Sequence, residues 1–361
     1  MKNRLARRLR VAWACTFSIW WWLAASGCGP RTTLGPSAST ADEARKEAAP
    51  RQGDPLALYF SSTESGWVLF PKALWQVSDG GLSWAQQASA GAGTSFRSMY
   101  WSGAQNGWLI CDDGMLRTSN GGSTWARVLQ LPKTHWLNAV WVNGNNGYAV
   151  GGRLAGDFTA EPVLLQTTSG GTDWKQATLN AEGLGTRSPL DLYSIYFLDG
   201  NVGWISGTSA IWRTDDGGVT WKPSRISVRG LHDARLERLQ FSDGAHGFAR
   251  YGPARGAVPH ELVRSSDGGQ SWNVVDPPVE EETTGLADVQ FLSESTGYSL
   301  FQGRLFKTMD GGGHWQSLDP RVDADLIYFV DQDHGYLAGR DRSLARTADG
   351  GLTWQVCHKP E

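Results

Sequence analysis

Hydrophobic and polar positions alternate along this chain in short runs. Segments such as LYFSSTESGWVL and IYFLDGNVGWIS contain an apolar run, a polar turn, and a glycine and an aromatic residue that open a second apolar run. This pattern predicts two short strands joined by a tight turn. It occurs seven times, and its glycine–aromatic pairs are Gly66-Trp67, Gly107-Trp108, Gly147-Tyr148, Gly203-Trp204, Gly247-Phe248, Gly297-Tyr298 and Gly335-Tyr336.

A second motif recurs once in each repeat of the first. RTDDGGVTW, at 213–221, follows a third apolar run, AIWRT, and its tryptophan opens a fourth. Four short strands in each period of 39 to 51 residues predict a propeller blade. Seven copies predict an all-β, seven-bladed β-propeller of four-stranded antiparallel blades, with this box turn between the third and fourth strands. The copies end at Trp84, Trp125, Trp174, Trp221, Trp272, Trp315 and Trp354.

The amino terminus predicts export. Five basic residues precede an apolar stretch at 11–25, and small residues follow up to Gly27. This arrangement is typical of a secretory signal and is short for a transmembrane helix. The sequence LAASGC resembles a bacterial lipobox, which implies cleavage after residue 27 and lipidation of Cys28. An ordinary signal peptide with a chance cysteine is the alternative.

Three segments follow from this pattern: a lipoprotein signal peptide at 1–27, a flexible tether at 28–55 and the propeller at 56–361. The tether is rich in Ser, Thr, Ala, Pro and charged residues and has little to bury. Gly29 is not the aspartate associated with inner-membrane retention. We therefore expect an exported, lipid-anchored protein at the outer membrane or periplasmic face of a Gram-negative cell, or on the lumen side of a thylakoid.

Composition and charge limit the classes of partner that the chain is expected to bind. The chain has 361 residues, of which 45 are Gly and 19 are Trp, as expected for many short strands and tight turns. Without the five basic residues of the signal, 28 basic residues face 36 acidic ones, which argues against nucleic acid. Cys111 and Cys357 would remain in the exported domain. Export permits a disulfide, but the two lie in the second and seventh repeats, so they are either paired or free.

The box motif resembles the Asp-box, or bacterial neuraminidase repeat. In RTDDGGVTW the pattern falls on Thr214, Asp216, Gly218, Thr220 and Trp221. The carboxylate and hydroxyls are suited to capping backbone N–H groups in the turn, and the tryptophan to covering it. A single acid in each box is too little for calcium, so we expect a structural role, no metal and no cofactor. The acid positions are Asp79, Asn120, Ser169, Asp216, Asp267, Asp310 and Asp349.

The alternation of F-x(5–6)-G-[WYF] and R-T-x-D-G-G-x-T-W over 56–357, behind a lipoprotein signal, resembles the photosystem II stability/assembly factor-like family. This resemblance implies a monomeric, non-catalytic, membrane-associated scaffold that binds a subunit of a membrane protein complex. The segment RGLHDARLER at 229–238 is similar to the arginine-bearing segment of those factors, so Arg229, Arg235 and Arg238 are candidate contacts. A solvated loop with ordinary surface pairs is the alternative.

Loop lengths indicate which face would carry a site. All the extra length lies in loops of blades three to five, on the face opposite the box turns, and function is often grafted onto such loops. Mixed charges and aromatic residues there favour a protein interface over a sugar site. The remaining candidate contacts on this face are His135, Trp136, Arg187 and Arg255.

The alternative function is a sialidase-like or glycosidase-like propeller that binds or hydrolyses glycans. Two carboxylates would then flank the scissile bond, and the scattered pairs are Asp157 with Glu161 and Asp191 with Asp233. Nothing in the sequence fixes their separation. The arginine-led motif that precedes the first blade of sialidases is missing, as are a P-loop and a G-x-S-x-G elbow. We therefore expect no enzymatic activity.

Overall fold

The computed structural model describes residues 53–155, 160–180, 191–227, 234–253, 261–275, 286–301, 303–318, 324–339 and 341–358. They form seven separate sheets, each built from consecutive strands. The prediction of a seven-bladed propeller with four-stranded antiparallel blades is confirmed. No helix in these ranges has the length and apolar character to cross a membrane.

Blades one to three contain twelve strands and one short 3-10 helix at Asp79–Gly81. The strands are β1 (Ala57–Phe60), β2 (Gly66–Leu69), β3 (Ala73–Ser78), β4 (Ser83–Ser89), β5 (Phe96–Ser102), β6 (Asn106–Cys111), β7 (Gly114–Thr118), β8 (Ala126–Gln130), β9 (His135–Asn143), β10 (Asn146–Leu154), β11 (Ala160–Thr167) and β12 (Lys175–Gln176).

Blades four to seven contain seventeen strands. They are β13 (Leu192–Phe197), β14 (Gly203–Gly207), β15 (Ala210–Thr214), β16 (Lys222–Pro223), β17 (Arg225–Ser227), β18 (Ala234–Phe241), β19 (Gly247–Pro253), β20 (Glu261–Ser265), β21 (Ser271–Val275), β22 (Leu286–Phe291), β23 (Gly297–Phe301), β24 (Arg304–Thr308), β25 (Gln316–Leu318), β26 (Leu326–Phe329), β27 (Gly335–Ala338), β28 (Leu344–Thr347) and β29 (Gln355–His358).

The first strands of the blades lie innermost. β1, β5, β9, β13, β18, β22 and β26 contact one another in this order, and β26 contacts β1 again. Because neighbouring strands are antiparallel, the box turns lie at one end of this ring, and the first strands begin at the other. We call these two ends the box face and the channel mouth.

Blade five differs from the prediction by one strand. β17 lies along the outer edge of this blade and pairs in parallel with β21, with Arg225 opposite Ser271. An outer strand exposes unpaired backbone N–H and C=O groups, and the chain leaving blade four satisfies them here. This strand has no recognisable sequence pattern, because it is three residues long and shows no alternation.

Neighbouring blades are held together by stacked aromatic rings. The aromatic residue that opens the second strand of one blade stacks on the last aromatic residue in the first strand of the next. Such pairs contribute beyond the area they bury. The stack between blades seven and one closes the ring. The pairs and their ring-centroid distances are Trp67/Trp101 (3.9 Å), Trp204/Phe241 (3.5 Å), Phe248/Phe291 (3.3 Å), Tyr298/Phe329 (3.6 Å) and Tyr336/Phe60 (3.6 Å).

Polar side chains of the first strands join neighbouring blades near the axis. The residue before the last in the strand donates a hydrogen bond to a carbonyl at the end of the next blade's first strand. These bonds fix adjacent blades at a constant offset. They run from Tyr100 to Val142 (3.2 Å), Tyr196 to Phe241 (2.9 Å), Gln240 to Phe291 (3.3 Å), Gln290 to Phe329 (3.0 Å) and Tyr328 to Phe60 (3.2 Å).

Both cysteines of the propeller are free thiols. Cys111 is buried at the end of β6, and Cys357 is partly buried in β29. Burial raises the pKa of Cys111 to about 12 and also raises the pKa of Cys357. Of the two alternatives for Cys111 and Cys357, a disulfide or free thiols, the structure thus has two unpaired, protonated thiols.

Candidate functional site

A cavity of about 760 Å³ opens at the channel mouth. Its walls come from the beginnings of β1, β5, β9, β13 and β18, the first strands of blades one to five. This volume lies within the range of about 300–1,000 Å³ that is usual for ligand pockets. The mouth is therefore the place in the described structure where side chains of five blades meet around one space.

The mouth brings together four of the candidate contacts. His135 and Trp136 begin β9, and Arg235 and Arg238 lie in β18, and all four line the cavity. These pairs are about one hundred residues apart in sequence, and ring closure places them together. The other candidates, Arg187, Arg229 and Arg255, lie outside the described residues, as do Cys28, Asp157 and Asp233.

Asp191, directly before β13, is held by neutral donors. The indole Nε1 of Trp136 donates to both of its carboxylate oxygens, at 3.0 and 3.1 Å. The Nδ2 of Asn138 donates to Oδ1 at 2.9 Å and to the carbonyl of Leu192 at 2.7 Å. Burial raises the pKa of Asp191 to about 6, against the lowering effect of these hydrogen bonds. The carboxylate thus sits where its charge is poorly solvated.

A glycine in the long hairpin of blade three makes room for this contact. Gly152 lies opposite Trp136 in the β9–β10 pairing. A Cβ atom at this position would come within 2.5 Å of the indole Cζ2 and within 2.9 Å of Asp191 Oδ1. Any larger residue at 152 would therefore displace the indole or the carboxylate that it holds.

Arg235 and Glu237 form a second group on β18. The Nη2 of Arg250 lies 2.6 Å from Glu237 Oε2, and its Nη1 donates to the carbonyl of Ala287 at 2.5 Å. Arg235 lies 4.0 Å from the other oxygen of Glu237, and its guanidinium sits 5.4 Å from the ring centroid of Tyr193. Glu237 is therefore shared between two arginines.

Arg238 is used inside the fold. It has a φ of 55°, in a register shift of the β18–β19 pairing between Glu237 and Gln240. Its Nε lies 3.5 Å from the Oδ1 of Asp288, which is 1% exposed. The Oδ2 of Asp288 accepts the backbone N–H of Ile327 at 3.1 Å. Arg238 thus neutralises a buried acid that joins blades six and seven.

The opposite wall of the mouth contributes one ion pair and one free cation. Arg97 and Asp112 lie 2.5 Å apart, on β5 and just after β6, and both are substantially exposed. Lys133 is exposed at the rim and forms no ion pair with the described residues. The mouth therefore has mixed charge and is not a continuous basic patch.

The box turns at the other end satisfy their own polar groups. In blade four the Oδ1 of Asp216 accepts hydrogen bonds from the backbone N–H of Thr220 at 2.9 Å and the hydroxyl of Thr214 at 2.8 Å. Its Oδ2 accepts the hydroxyl of Thr220 at 2.6 Å. The hydroxyl of Thr214 in turn accepts the N–H of Gly218 at 2.9 Å. Asp267 and Asp349 repeat this arrangement, and Asp310 does so with the ring Nδ1 of His314 in place of the second hydroxyl.

The altered boxes keep the turn by other means. The Oδ1 of Asn120 accepts the backbone N–H of Thr124 at 3.0 Å. The hydroxyl of Ser169 accepts the backbone N–H of Asp173 at 3.0 Å. Asp79, in the 3-10 helix of blade one, has a φ of 53° and accepts the hydroxyl of Ser83 at 2.7 Å. Each box position thus holds a turn and faces away from the channel mouth.

Box tryptophans pack edge to face on the last aromatic residue in the first strand of their own blade, with angles of 81° for Phe197/Trp221 and 85° for Phe241/Trp272. In blade one Trp84 instead meets Trp75 of the third strand, at 61°. Trp84, Trp221 and Trp272 are buried. The other four, Trp125, Trp174, Trp315 and Trp354, are half-buried. None of the seven lines the mouth cavity.

One group of described residues on the box face has metal-ligand composition. Asp243, His246 and Glu294 place one ligand atom each within 4.8 Å of one another. The Oδ1 of Asp243 accepts two backbone N–H groups of its own turn, as Asp331 does beside His334 in blade seven. The pair of Asp243 and His246 is thus a repeated turn cap.

Sequence reasoning missed several residues of the mouth: Asn138, Tyr193, Glu237, Arg250 and Asp288. A signal for three of them was present. Asn138 follows Trp136 by two positions, Tyr193 follows Asp191 and Glu237 follows Arg235, and alternate residues of a strand share a face. Arg250 and Asp288 lie on other strands, and their contacts depend on the ring.

Solved structures of other proteins share this fold at low sequence identity. No protein-family model and no curated protein matches the sequence. YCF48 bound to D1 peptide is similar in structure, with a TM-score of 0.60 and 18% identity over 84% of this chain and 95% of that chain. YCF48 from Cyanidioschyzon merolae gives 0.55 and 18% over 72% and 84%.

An ancestral GH74 enzyme is also similar, with a TM-score of 0.66 and 13% identity over 85% of this chain and 46% of that chain. At these identities the likeness concerns the fold. The architecture is thus shared with one protein that has been seen with a bound peptide and with one that is an enzyme. The chain is a seven-bladed β-propeller with a polar cavity where the first strands of five blades begin.

Proposed function

We propose that this protein is a non-catalytic, membrane-anchored, exported scaffold that binds a segment of a protein partner at the channel mouth. Its role would be the assembly or stability of a membrane protein complex. The observation that carries this proposal is the mouth cavity, where side chains of five blades surround one polar space of about 760 Å³. YCF48, which has the same fold, has been solved with a D1 peptide bound.

The acids of the mouth support binding over hydrolysis. A glycosidase of the usual kind needs two carboxylates that are free to act as acid and as nucleophile or base. Glu237 is held by Arg250 at 2.6 Å and Asp112 by Arg97 at 2.5 Å. Asp191 is then the only acid lining the described cavity without an ion pair to a described residue. A single carboxylate without an ionic partner is suited to binding a ligand and is too little for this kind of hydrolysis.

The segment LAASGC supports the membrane anchor, because it resembles a lipobox that ends at Cys28. Metabolic labelling with a fatty-acid analogue in a bacterial expression host tests it. Wild-type protein should take up the label and sediment with membranes, while Cys28→Ala should lose both properties. An unlabelled wild-type protein in the soluble exported fraction would remove the anchor from the proposal.

Site-specific photocrosslinking tests the binding face. A photoreactive residue at position 133, exposed at the mouth, is compared with one at position 219, on the box face, where Val219 is 64% exposed. In native membranes we expect a defined set of membrane proteins to crosslink from 133 and none of them from 219. Equal products from both positions, or none together with retention on a glycan array, would contradict the proposal.

A further inference from the structure

Two cationic side chains at the channel mouth already form ion pairs with acidic residues of the protein. Arg97 lies 2.5 Å from Asp112, and Arg238 lies 3.5 Å from the buried carboxylate of Asp288. An anionic ligand would have to compete with these internal partners. Separating Arg238 from Asp288 would leave a buried acid without an ionic partner, which is costly.

The acidic residue on β18, Glu237, also has a cationic partner within the protein. Glu237 binds Arg250 at 2.6 Å, and the side chain of Arg250 is 17% exposed. Arg235 stands 4.0 Å from the same carboxylate and over the ring of Tyr193. The guanidinium of Arg235 therefore has a carboxylate and an aromatic face as partners, and it forms no ion pair with Asp191.

Asp191 is the exception at the mouth. Its hydrogen-bond donors are the neutral indole of Trp136 and the neutral amide of Asn138. No lysine, arginine or histidine of the described ranges forms an ion pair with it. Each carboxylate oxygen has two lone pairs, and among the described residues Oδ2 accepts the indole N–H that it shares with Oδ1, while the backbone N–H of Leu192 also stabilises the carboxylate. Acceptor capacity thus remains on a side chain that lines the cavity.

The surroundings of Asp191 favour a cation. Trp136 lines the same cavity, and an indole ring attracts ammonium and guanidinium groups. A carboxylate that is partly desolvated and held by neutral donors gains more from a cation than one that already has an ionic partner. The raised pKa of Asp191 agrees with this, since burial outweighs the lowering effects of its hydrogen bonds and of the more distant charge of Arg235.

We infer that Asp191 and Trp136 receive a lysine or arginine side chain of the partner segment, so that the protein recognises a basic residue in an extended polypeptide. This inference rests on the proposed function and specifies the chemistry of the partner. It assigns to Asp191 the direct contact and to Asn138 a positioning role, because Asn138 orients the carboxylate.

The test uses a displayed library of random decapeptides selected on the purified propeller at pH 7.5. Wild-type protein should enrich peptides that contain Lys or Arg. Asp191→Asn keeps the shape of the side chain and removes its charge, and it should lower that enrichment roughly tenfold, as expected for loss of one charge-assisted hydrogen bond. Asp215→Asn is the matched control, since it removes one charge from an exposed ion pair next to a box turn.

Thermal unfolding of each variant checks that the fold is retained. Enrichment of acidic peptides by wild-type protein, lowered by Lys133→Glu, would overturn the inference while leaving protein binding at the mouth in place. Unchanged enrichment of basic peptides by Asp191→Asn would also overturn it. If no peptide is enriched, the inference fails, and the photocrosslinking at position 133 decides separately whether the proposed function stands.

Discussion

Two aspartates of blade four lie at opposite ends of the propeller and behave in opposite ways. Asp216, on the box face, has a pKa lowered to about 2, first because the hydroxyl of Thr220 donates to it. Asp191, at the channel mouth, has a pKa raised to about 6 because it is buried. The first carboxylate is supplied with donors by its own turn. The second depends on other strands, forms no ion pair with a described residue, and interacts with the charge of Arg235 only at longer range.

This difference extends to the two faces. On the box face the same turn recurs from blade to blade, and the hydrogen bonds of its carboxylate and leading hydroxyl span two to four residues. At the mouth the five contributing strands present different side chains, and their ion pairs cross between strands and blades. Repetition thus marks the scaffold, and departure from repetition marks the candidate site.

The largest expected effect on stability distinguishes a tryptophan of a box turn from the tryptophan at the channel mouth. Trp221 is fully buried and packs edge to face on Phe197, so Trp221→Ala should lower the free energy of unfolding by about 3–5 kcal/mol. Trp136 is only partly buried at the mouth, and Trp136→Ala should cost about 1–2 kcal/mol while it abolishes peptide binding. Urea denaturation measures both. Equal losses of stability would remove the distinction between scaffold and site.

The next effect separates the two candidate arginines of β18. Arg238→Ala leaves Asp288 buried without an ionic partner, and we expect a loss of about 2 kcal/mol, between exposed and fully buried ion pairs. Arg235→Ala removes a 4.0 Å contact between exposed groups and should cost less than about 1 kcal/mol. Their side chains are similarly exposed, at 40% and 44%, so each is a control for the other.

Urea denaturation of both variants at pH 7 and low ionic strength checks this order. A larger loss of stability for Arg235→Ala would mean that the contact with Asp288 has no structural importance. Arg238 would then be as free to bind a partner as the sequence suggested.

The fold could be predicted from sequence because its signals are local. A box such as RTDDGGVTW contains the carboxylate and hydroxyls that cap its own turn, so the pattern and the structure coincide. The glycine–aromatic motif likewise marks a strand start that stacks on the next blade. The fifth strand of blade five has no such local signal, because its pairing depends on where the chain runs after blade four.

The candidate site could be predicted only in part. Loop lengths and residue types pointed to the face where the cavity opens and to four residues that line it. Which charges are free could not be read from the sequence, because Arg238 meets its acid fifty residues away. Asp191 was considered there only as a possible partner of Asp233, and its contact with Trp136 depends on blades three and four lying side by side.

A smaller effect concerns pH. The pKa of Asp191 in the folded state, about 6, lies above its ordinary value of 3.8, so the folded protein binds more protons between these values. Its contribution therefore favours folding below pH 4 and is lost as pH rises through 6. Asp191→Asn removes this dependence. Relative to wild type, the variant should gain about 1–2 kcal/mol between pH 4 and pH 8, a value reduced for partial exposure.

Thermal unfolding of both proteins across this pH range measures that gain. A difference between them that stays constant from pH 4 to pH 8 would show that Asp191 is well solvated. The mouth would then lack the uncompensated charge on which recognition of a basic residue depends.

The smallest effect is expected for the box acid of the same blade. Asp216→Asn should cost less than about 0.5 kcal/mol at pH 7, because Asn120 already holds the equivalent turn through its Oδ1. The folded pKa of Asp216 lies below 3.8, so its contribution is present above that value and is lost as pH falls towards 2. The melting temperatures of variant and wild type should therefore converge as the pH falls from about 4 towards 2. A large loss at pH 7, or divergence in acid, would give the box carboxylate a role that its turn does not explain.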